Sequence, residues 1–203
     1  MPRDGTATKA RILDAAEKLF ESNGFAATSV EAIIEASGTS KGAFFHHFES
    51  KRALSQALVE RYVEMDLTML QAGLDAVAEI RDPVERVLGF LRFYEQWATE
   101  LMSADSACLY LAVLTERDLL DEATGEAVQR AIVAWRVEFA ALIRAALSAR
   151  GLRRRINADH LADHLFATFE GGYLLCRSLR SAEPMRQQLR VMRQLVEALL
   201  EER

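Results

Sequence analysis

The stretch from Thr39 to Lys51, T-S-K-G-A-F-F-H-H-F-E-S-K, combines residue types that suit contact with a nucleic acid. Lysine, histidine, serine and threonine side chains can donate hydrogen bonds to phosphate oxygens. Small residues let a helix backbone come close to base edges, and an exposed aromatic ring can pack on a thymine methyl group. The combination predicts a short helix that enters the major groove of DNA.

The spacing within this short helix separates a buried side from a DNA-facing side. Phe44 and Phe48 lie four residues apart and are expected to face inward, while Lys41 and Phe45, also four apart, are expected to face outward. Between the two outward residues stand a glycine and an alanine, which leave the backbone accessible. The alternative for F-F-H-H-F is an ordinary core helix with two surface histidines.

Two helices are predicted to precede this one. Lys9 to Asn23 has the apolar periodicity of an amphipathic helix, with Thr8 as its N-terminal cap and Gly24 just past its end. Thr28 and Glu31 have the spacing of a capping box at the start of a second helix.

That second helix is predicted to run to about Ser37, where Gly38 ends it. Thr39 or Ser40 then caps the third helix, which ends near His47. Three short helices with a tight turn before the third are typical of a helix-turn-helix module.

The rest of the chain predicts six more helices and no strand, so the expected fold class is all-α with about nine helices. The fourth begins at Lys51, the fifth at Asp82-Pro83, the sixth covers 106–114, the seventh 122–149, the eighth follows Asn157 and the ninth opens at Glu183-Pro184. The expected domains are residues 1–55 for DNA binding and 56–203 for ligand binding and dimerisation.

Composition narrows the class of protein. Half of the 203 residues are apolar, so a sizeable core can form, and no uncharged apolar run has the length of a membrane span. Two cysteines, Cys108 and Cys176, are too few for a secreted disulfide scaffold, which favours a cytoplasmic protein.

The distribution of charge is compatible with DNA binding at one place in the chain. The net charge is −5, but residues 1–55 carry equal numbers of positive and negative side chains, and residues 38–52 hold three cations against one anion. A local basic edge of this kind is compatible with DNA.

Four motifs in order resemble the DNA-binding domain of the tetracycline-repressor (TetR) family of bacterial regulators. They are I-L-D-A-A-E-K-L-F, G-F-A-A-T-S-V, A-S-G-T-S-K-G-A-F-F-H-H-F and S-K-R-A-L, all between Arg11 and Leu58. The resemblance covers about a quarter of the chain by motif, and the nine-helix layout extends it to the whole.

The resemblance implies a set of DNA contacts. The residues that would read bases are Lys41, Gly42, Ala43 and Phe45, and those that would contact phosphates are Ser29, Thr39, Ser40, His46, His47 and Lys51. The chain departs from the family at Phe45 and His47, where tyrosine is common, so a contact by Phe45 is purely apolar. Some relatives read a base at Glu31, but the capping-box interpretation makes this residue structural here.

The resemblance also implies an effector site and a dimer in the second domain. Candidate effector contacts are Tyr62, Met65, Phe93, Trp97, Cys108, Trp135, Phe139, Phe166, Phe169, Glu170 and Tyr173, with core packing as the alternative for each of them. Candidate dimer contacts are Gly171, Gly172, Leu189, Met192, Leu195 and Val196. The implied dimer would hold its two recognition helices about 34–36 Å apart.

Three other features have a functional interpretation that is less favoured than a structural one. His160 and His164, with Asp159 and Asp163, could hold a metal ion but show no third strong ligand, so no metal site is predicted. Cys108 is a conceivable redox trigger, although an inert buried thiol is favoured. The run 153–155 of three arginines is expected to be a solvated loop, with a second DNA contact as its alternative.

The sequence therefore predicts a regulator of transcription, usually a repressor in this family, with operator DNA, a small-molecule effector and a second copy as partners. No membrane association and no cofactor are expected. An enzyme is the competing class, but the chain contains no GxSxG, P-loop, HExxH or CxxC motif. A third hypothesis keeps the fold and replaces the effector with a partner protein.

Overall fold

The computed structural model describes residues 5–101, 109–115, 121–152 and 156–201, and within these ranges all regular structure is helical. The nine described helices are α1 (Gly5–Asn23), α2 (Val30–Ser37), α3 (Lys41–His47), α4 (Lys51–Asp75), α5 (Pro83–Leu101), α6 (Leu109–Thr115), α7 (Glu122–Ala149), α8 (Ala158–Leu179) and α9 (Glu183–Glu201). The predicted all-α class is confirmed. Within the described ranges, no helix has the length and apolar character needed to cross a membrane.

Two predicted helix caps are wrong. Thr8 lies inside α1, which begins three residues earlier. Thr28 does not cap α2; its hydroxyl is buried and donates to the carbonyl oxygens of Gly24 at 2.8 Å and Leu19 at 3.3 Å. Ser29 is the cap instead, and its hydroxyl accepts from the amide of Ala32 at 3.1 Å. The motif T-S-V-E offers two adjacent hydroxyls, and burial of the first leaves the second to cap the helix.

The remaining predicted boundaries agree closely with the structure. Asn157 caps α8, and α5 begins at Pro83 after the Asp82 carboxylate, which accepts from the Val84 amide at 2.7 Å. Helix α6 is described over Leu109–Thr115, and residues 106–108 of its predicted range lie outside the described residues.

The first compact unit contains the part of the chain up to Glu64 together with Leu109–Val128. Its core includes Ile12, Phe20, Ile33, Phe44 and Phe48 from the first three helices and the loop after α3. Arg61 of α4 bonds the carboxylates of Asp14 and Glu17 on α1, both at 2.6 Å. Helix α4 is thereby fixed to the module that it follows.

The second compact unit contains Met65–Cys108 and Gln129–Arg203, as far as these ranges are described. Helices α5, α8 and α9 pack around one core, to which α4 and α7 also contribute. Glu95 on α5 binds Arg190 at 2.7 Å and Arg193 at 2.9 Å on α9. The division between the two units falls inside α4, whereas the functional boundary at residue 55 stays a prediction.

Candidate functional site

The turn between α2 and α3 is built from local hydrogen bonds. Gly38 has a left-handed backbone (φ 61°), which glycine adopts without a steric penalty, and its amide returns to the end of α2. Ser40 caps α3 by accepting from the Ala43 amide at 3.1 Å. The hydroxyls of Ser37 and Thr39 lie 2.8 Å apart, so Thr39 braces the turn while Ser40 starts the helix.

The two faces of α3 are those that the spacing predicts. Phe44 is fully buried and Phe48 nearly so, whereas Phe45 keeps 46% of its surface exposed. The rings of Phe44 and Phe45 meet edge to face with centroids 5.2 Å apart, so the buried ring supports the exposed one. Lys41 is exposed one turn before Phe45. An exposed lysine and an exposed ring on one face leave a polar and an apolar contact available.

The small residues of α3 leave its backbone accessible. Gly42 is exposed, and a methyl group added there would meet only the Ser40 hydroxyl, at 4.0 Å. Ala43 is half-buried. A flat groove edge could therefore approach the first turn of α3 closely.

The two histidines have different surroundings. His46 is exposed and His47 is half-buried, and their rings meet edge to face with centroids 5.0 Å apart. A methyl group added at Gly5 would lie 3.5 Å from the His47 ring, so the beginning of α1 lies beside it. Of the two, His46 has the freer access to a phosphate.

Besides Thr39 and Ser40, two further predicted phosphate contacts have structural roles inside the module. The Lys51 ammonium donates to the Phe25 carbonyl and lies 4.0 Å from the centroid of the Phe25 ring. Ser29 caps α2, as described above. A phosphate contact by either residue would share its polar group with the fold, whereas Lys41 and His46 are exposed residues.

Tyr94 is the centre of an aromatic cluster in the second compact unit. Its ring centroid lies 5.0 Å from Phe90, 5.1 Å from both Phe93 and Trp135, and 6.0 Å from Phe169. Three of the predicted effector residues are therefore brought together here. Tyr94 and Phe90 are absent from the predicted set, although their helical spacing relative to Phe93 and Trp97 could have indicated them.

The polar groups of this cluster are bonded within it. The Tyr94 hydroxyl donates to the Met69 carbonyl at 2.8 Å, and the Trp135 indole donates to the Asp66 carboxylate at 3.0 Å. Burial raises the pKa of Tyr94 far above its usual value, and the charge of Asp66 adds to this effect. Tyr94 therefore stays neutral. Gly73 makes room for it, since a methyl group there would lie within 2.8 Å of two ring carbons.

The other predicted effector residues differ in their surroundings, and one of them, Phe139, borders this cluster. Phe139 is fully buried and stacks on Phe90 with centroids 5.6 Å apart. Met65 and Trp97 are about half exposed, and Tyr62 belongs to the first compact unit, where it packs on Tyr110. Phe166, Glu170 and Tyr173 are half-buried on α8, and Cys108 lies outside the described residues.

The predicted dimer residues divide between the inside and the outside of the chain. Leu189, Met192 and Val196 are buried in the chain's own core, so they are not available at a surface. Gly172 is buried too, and a methyl group there would lie 2.7 Å from the Met185 sulfur. Gly171 and Leu195 are exposed. Beside them, α8 and α9 expose further apolar side chains, namely Leu174, Leu175, Leu179 and Val191.

The acidic residues beside His160 and His164 are engaged in ion pairs. Asp159 binds Arg144 and Asp163 binds Arg136, both at 2.9 Å. Among the described residues, no group of three or more potential ligands is placed to hold a metal ion. The arginine run 153–155 lies outside the described residues.

Two family comparisons match most of the chain. Residues 12–58 match the family described as bacterial regulatory proteins, tetR family. Residues 83–192 match the tetracyclin repressor-like C-terminal domain, which by itself covers more than half of the chain.

Individual relatives agree with these matches. The regulator UidR of Escherichia coli K12 is 37% identical over 87 residues, which are 43% of this chain and 39% of UidR. The repressor DhaR of Mycobacterium sp. GP1 is 27% identical over 197 residues, covering 96% of this chain and 93% of DhaR. The chain thus spans about two fifths of UidR and nearly all of DhaR.

Solved structures share the fold over nearly the whole length. A TetR transcriptional regulator from Chloroflexus aurantiacus has a TM-score of 0.75 and 26% identity, with 96% of each chain covered. The regulatory protein TetR from Rhodobacter sphaeroides has a TM-score of 0.71 and 22% identity, covering 91% of this chain and 96% of its own.

Proposed function

The chain belongs to the TetR family of helix-turn-helix transcriptional regulators, and we propose that it binds a palindromic operator as a homodimer and leaves it when a small, largely apolar molecule binds. The exposed face of α3 carries this proposal. Lys41, Phe45 and His46 stand on it beside the accessible backbone of Gly42, and the buried Phe44 and Phe48 anchor it. We assign base contacts to Lys41 and Phe45 and phosphate contacts to Ser40, Thr39 and His46 as part of this proposal.

A homodimer is supported by the exposed apolar residues of α8 and α9. Monomeric proteins rarely leave several leucines of neighbouring helices in water, and such rows typically mark contacts with another protein. The interface we propose uses Gly171, Leu174, Leu179, Val191 and Leu195, in place of the four predicted residues that are buried within the chain. A second copy presents the same surface, so a two-fold contact covers both.

An effector is supported by the cluster around Tyr94. Aromatic rings suit an apolar molecule, and the Asp66 carboxylate beside the Trp135 indole supplies a polar group that could orient it. A repressing role is supported by DhaR, which is named a repressor and aligns with 96% of this chain. The effector would favour a dimer geometry that no longer fits the groove spacing, with a coupling of about 1–3 kcal/mol. Such a regulator acts on DNA in the cytoplasm.

Selection of duplexes from a randomised library by the purified protein tests operator binding. We expect the wild type to enrich a palindromic sequence. Lys41→Ala with Phe45→Ala should weaken binding to it by about 2–4 kcal/mol, since each lost base contact typically weakens binding by 1–3 kcal/mol. Lys18→Ala, which removes a positive charge from an exposed position on α1, is the control. Failure of the wild type to enrich any duplex, or unchanged binding by the double variant, contradicts the proposal.

A further inference from the structure

Asp121 lies directly before α7 and caps it in a reciprocal arrangement. Its Oδ1 accepts from the Thr124 amide at 2.9 Å, and its own amide donates to the Thr124 hydroxyl, also at 2.9 Å. Thr124 is almost completely buried. This is the geometry of a capping box, with the roles filled by aspartate and threonine.

The other carboxylate oxygen of Asp121 serves a different helix. Oδ2 accepts from Nε of Arg52 at 2.7 Å and from Nε2 of Gln56 at 2.9 Å, one turn apart on α4. The Asp121 side chain is only 10% exposed, whereas that of Arg52 is 62% exposed. One largely shielded carboxylate thus joins the beginning of α7 to the beginning of α4, with one oxygen for each helix.

The attachment point on α4 lies next to the DNA-facing helix. Only residues 48–50 separate α3 from α4, and Phe48 among them is buried in the core of the module. Arg52 is the second residue of α4. A displacement of the first turn of α4 therefore moves the end of α3 with it.

We propose that Asp121 is a positioning residue for operator binding, which holds the first turn of α4, and through it α3, in the orientation that fits the groove. This inference rests on the proposed function. It assigns to the beginning of α7 an indirect part in DNA recognition, although Asp121 lies 69 residues from Arg52 in sequence. Hydrogen bonds from the Thr124 backbone, and after it from Arg52 and Gln56, hold the pKa of Asp121 well below its usual range, so the carboxylate is ionised under ordinary conditions.

The test separates the two duties of Asp121. Asp121→Ser keeps a good helix cap but is too short to reach α4. Glu122→Gln is the matched control, since it removes the same charge from the neighbouring exposed position. Arg52→Met removes the charged partner of the link from the side of α4, keeps the bond from Gln56 and leaves the cap of α7 intact.

Affinity is measured for a duplex selected by the wild-type protein and for a scrambled duplex. We expect Asp121→Ser to weaken binding to the selected duplex about tenfold, the usual scale for a charge-assisted hydrogen bond, with little change for the scrambled one. Adding Arg52→Met should cause no further loss. Equal effects of Asp121→Ser and Glu122→Gln would overturn the proposal. So would tighter binding by Asp121→Ser, which would mean that the carboxylate merely withholds Arg52 from phosphates.

Amide hydrogen exchange of the free protein is a second test of the same proposal, and it needs no DNA. In Asp121→Ser the amides of residues 54–58 should exchange about tenfold faster than in wild type or Glu122→Gln, because the local opening of α4 becomes easier. Unchanged exchange would overturn the positioning role. If the wild type selects no duplex, the proposed function fails, and the exchange result still decides whether Asp121 holds α4.

Discussion

Helix α3 and the terminal pair α8 and α9 all expose apolar side chains, but the residues around those side chains differ. On α3 a single exposed ring, Phe45, stands with Lys41 and His46. On the terminal pair the exposed positions include several leucines, such as Leu174, Leu179 and Leu195. A DNA groove, lined by phosphates and base edges, is best contacted by hydrogen-bond donors around one apolar side chain. A protein partner is best contacted by a larger apolar surface. The difference suggests that one chain carries surfaces for two kinds of partner.

The largest effect is expected from charges placed on the terminal pair. Leu179→Glu with Leu195→Glu should convert the proposed dimer to monomers, because each glutamate buried in an interface costs several kcal/mol. Light scattering or sedimentation measures the mass. Val137→Glu on α7, at a residue that is also about half exposed, is the control. A dimer that survives the double substitution and dissociates with Val137→Glu would move the interface to α7.

The next effect separates two adjacent rings of α3. Phe44→Ala should lower the free energy of unfolding by about 3–5 kcal/mol, because it leaves a cavity in the core of the first unit. Phe45→Ala should lower it by only about 1 kcal/mol, because about half of this ring is exposed and a single edge-to-face contact is lost, while weakening DNA binding. Chemical denaturation measures both variants. Similar destabilisation by the two would mean that Phe45 serves the fold, and α3 would then lose its distinction from the terminal pair.

The two regions also differ in how far the sequence predicts them. For α3 the inward and outward residues are correct, since a seven-residue helix against a small core has only one way to bury two phenylalanines four apart. For α9 the apolar periodicity is just as clear. It predicts which residues form the apolar face, but it does not predict whether that face packs on the same chain or on a second copy. Leu189, Met192 and Val196 form that face, and it packs on the chain itself.

Long-range contacts are the other part that the sequence does not predict. The link from Asp121 to Arg52 and Gln56 joins residues more than sixty positions apart, and nothing in their local patterns pairs them. The cluster around Tyr94 has the same origin, since it gathers rings from α5, α7 and α8. Within α2, local reasoning could recognise that a hydroxyl caps the helix but could not distinguish Thr28 from Ser29, because burial of Thr28 depends on α1.

The glycine pair of α8 offers a sharper test of which face points inward. Gly171→Ala should raise the free energy of unfolding by about 1 kcal/mol, because alanine is the better helix former and a methyl group there meets nothing within 4 Å. Gly172→Ala should lower it by about 1 kcal/mol, because crowding of the buried Met185 outweighs the same helical gain. Thermal and chemical denaturation of the two variants, compared at one protein concentration, measures the difference. Equal and positive effects would show that α8 and α9 pack less closely than we describe.

The smallest effect concerns the tie between α5 and α9. Burial by itself would raise the pKa of Glu95, but hydrogen bonds from Arg190 and Arg193 outweigh it and lower the pKa below the usual 4.5. The contribution of Glu95 to stability is therefore present above that value and is lost as the pH falls through the lower pKa of the folded state. Glu95→Gln should reduce stability by up to about 1 kcal/mol at pH 7, with the difference from wild type shrinking below about pH 4. Glu85→Gln, in an exposed pair with Arg92 on the same helix, is the control. A loss that stayed constant from pH 7 to acid would indicate that Glu95 acts by packing rather than by its charge, and α9 would then be held to α5 by its apolar face alone.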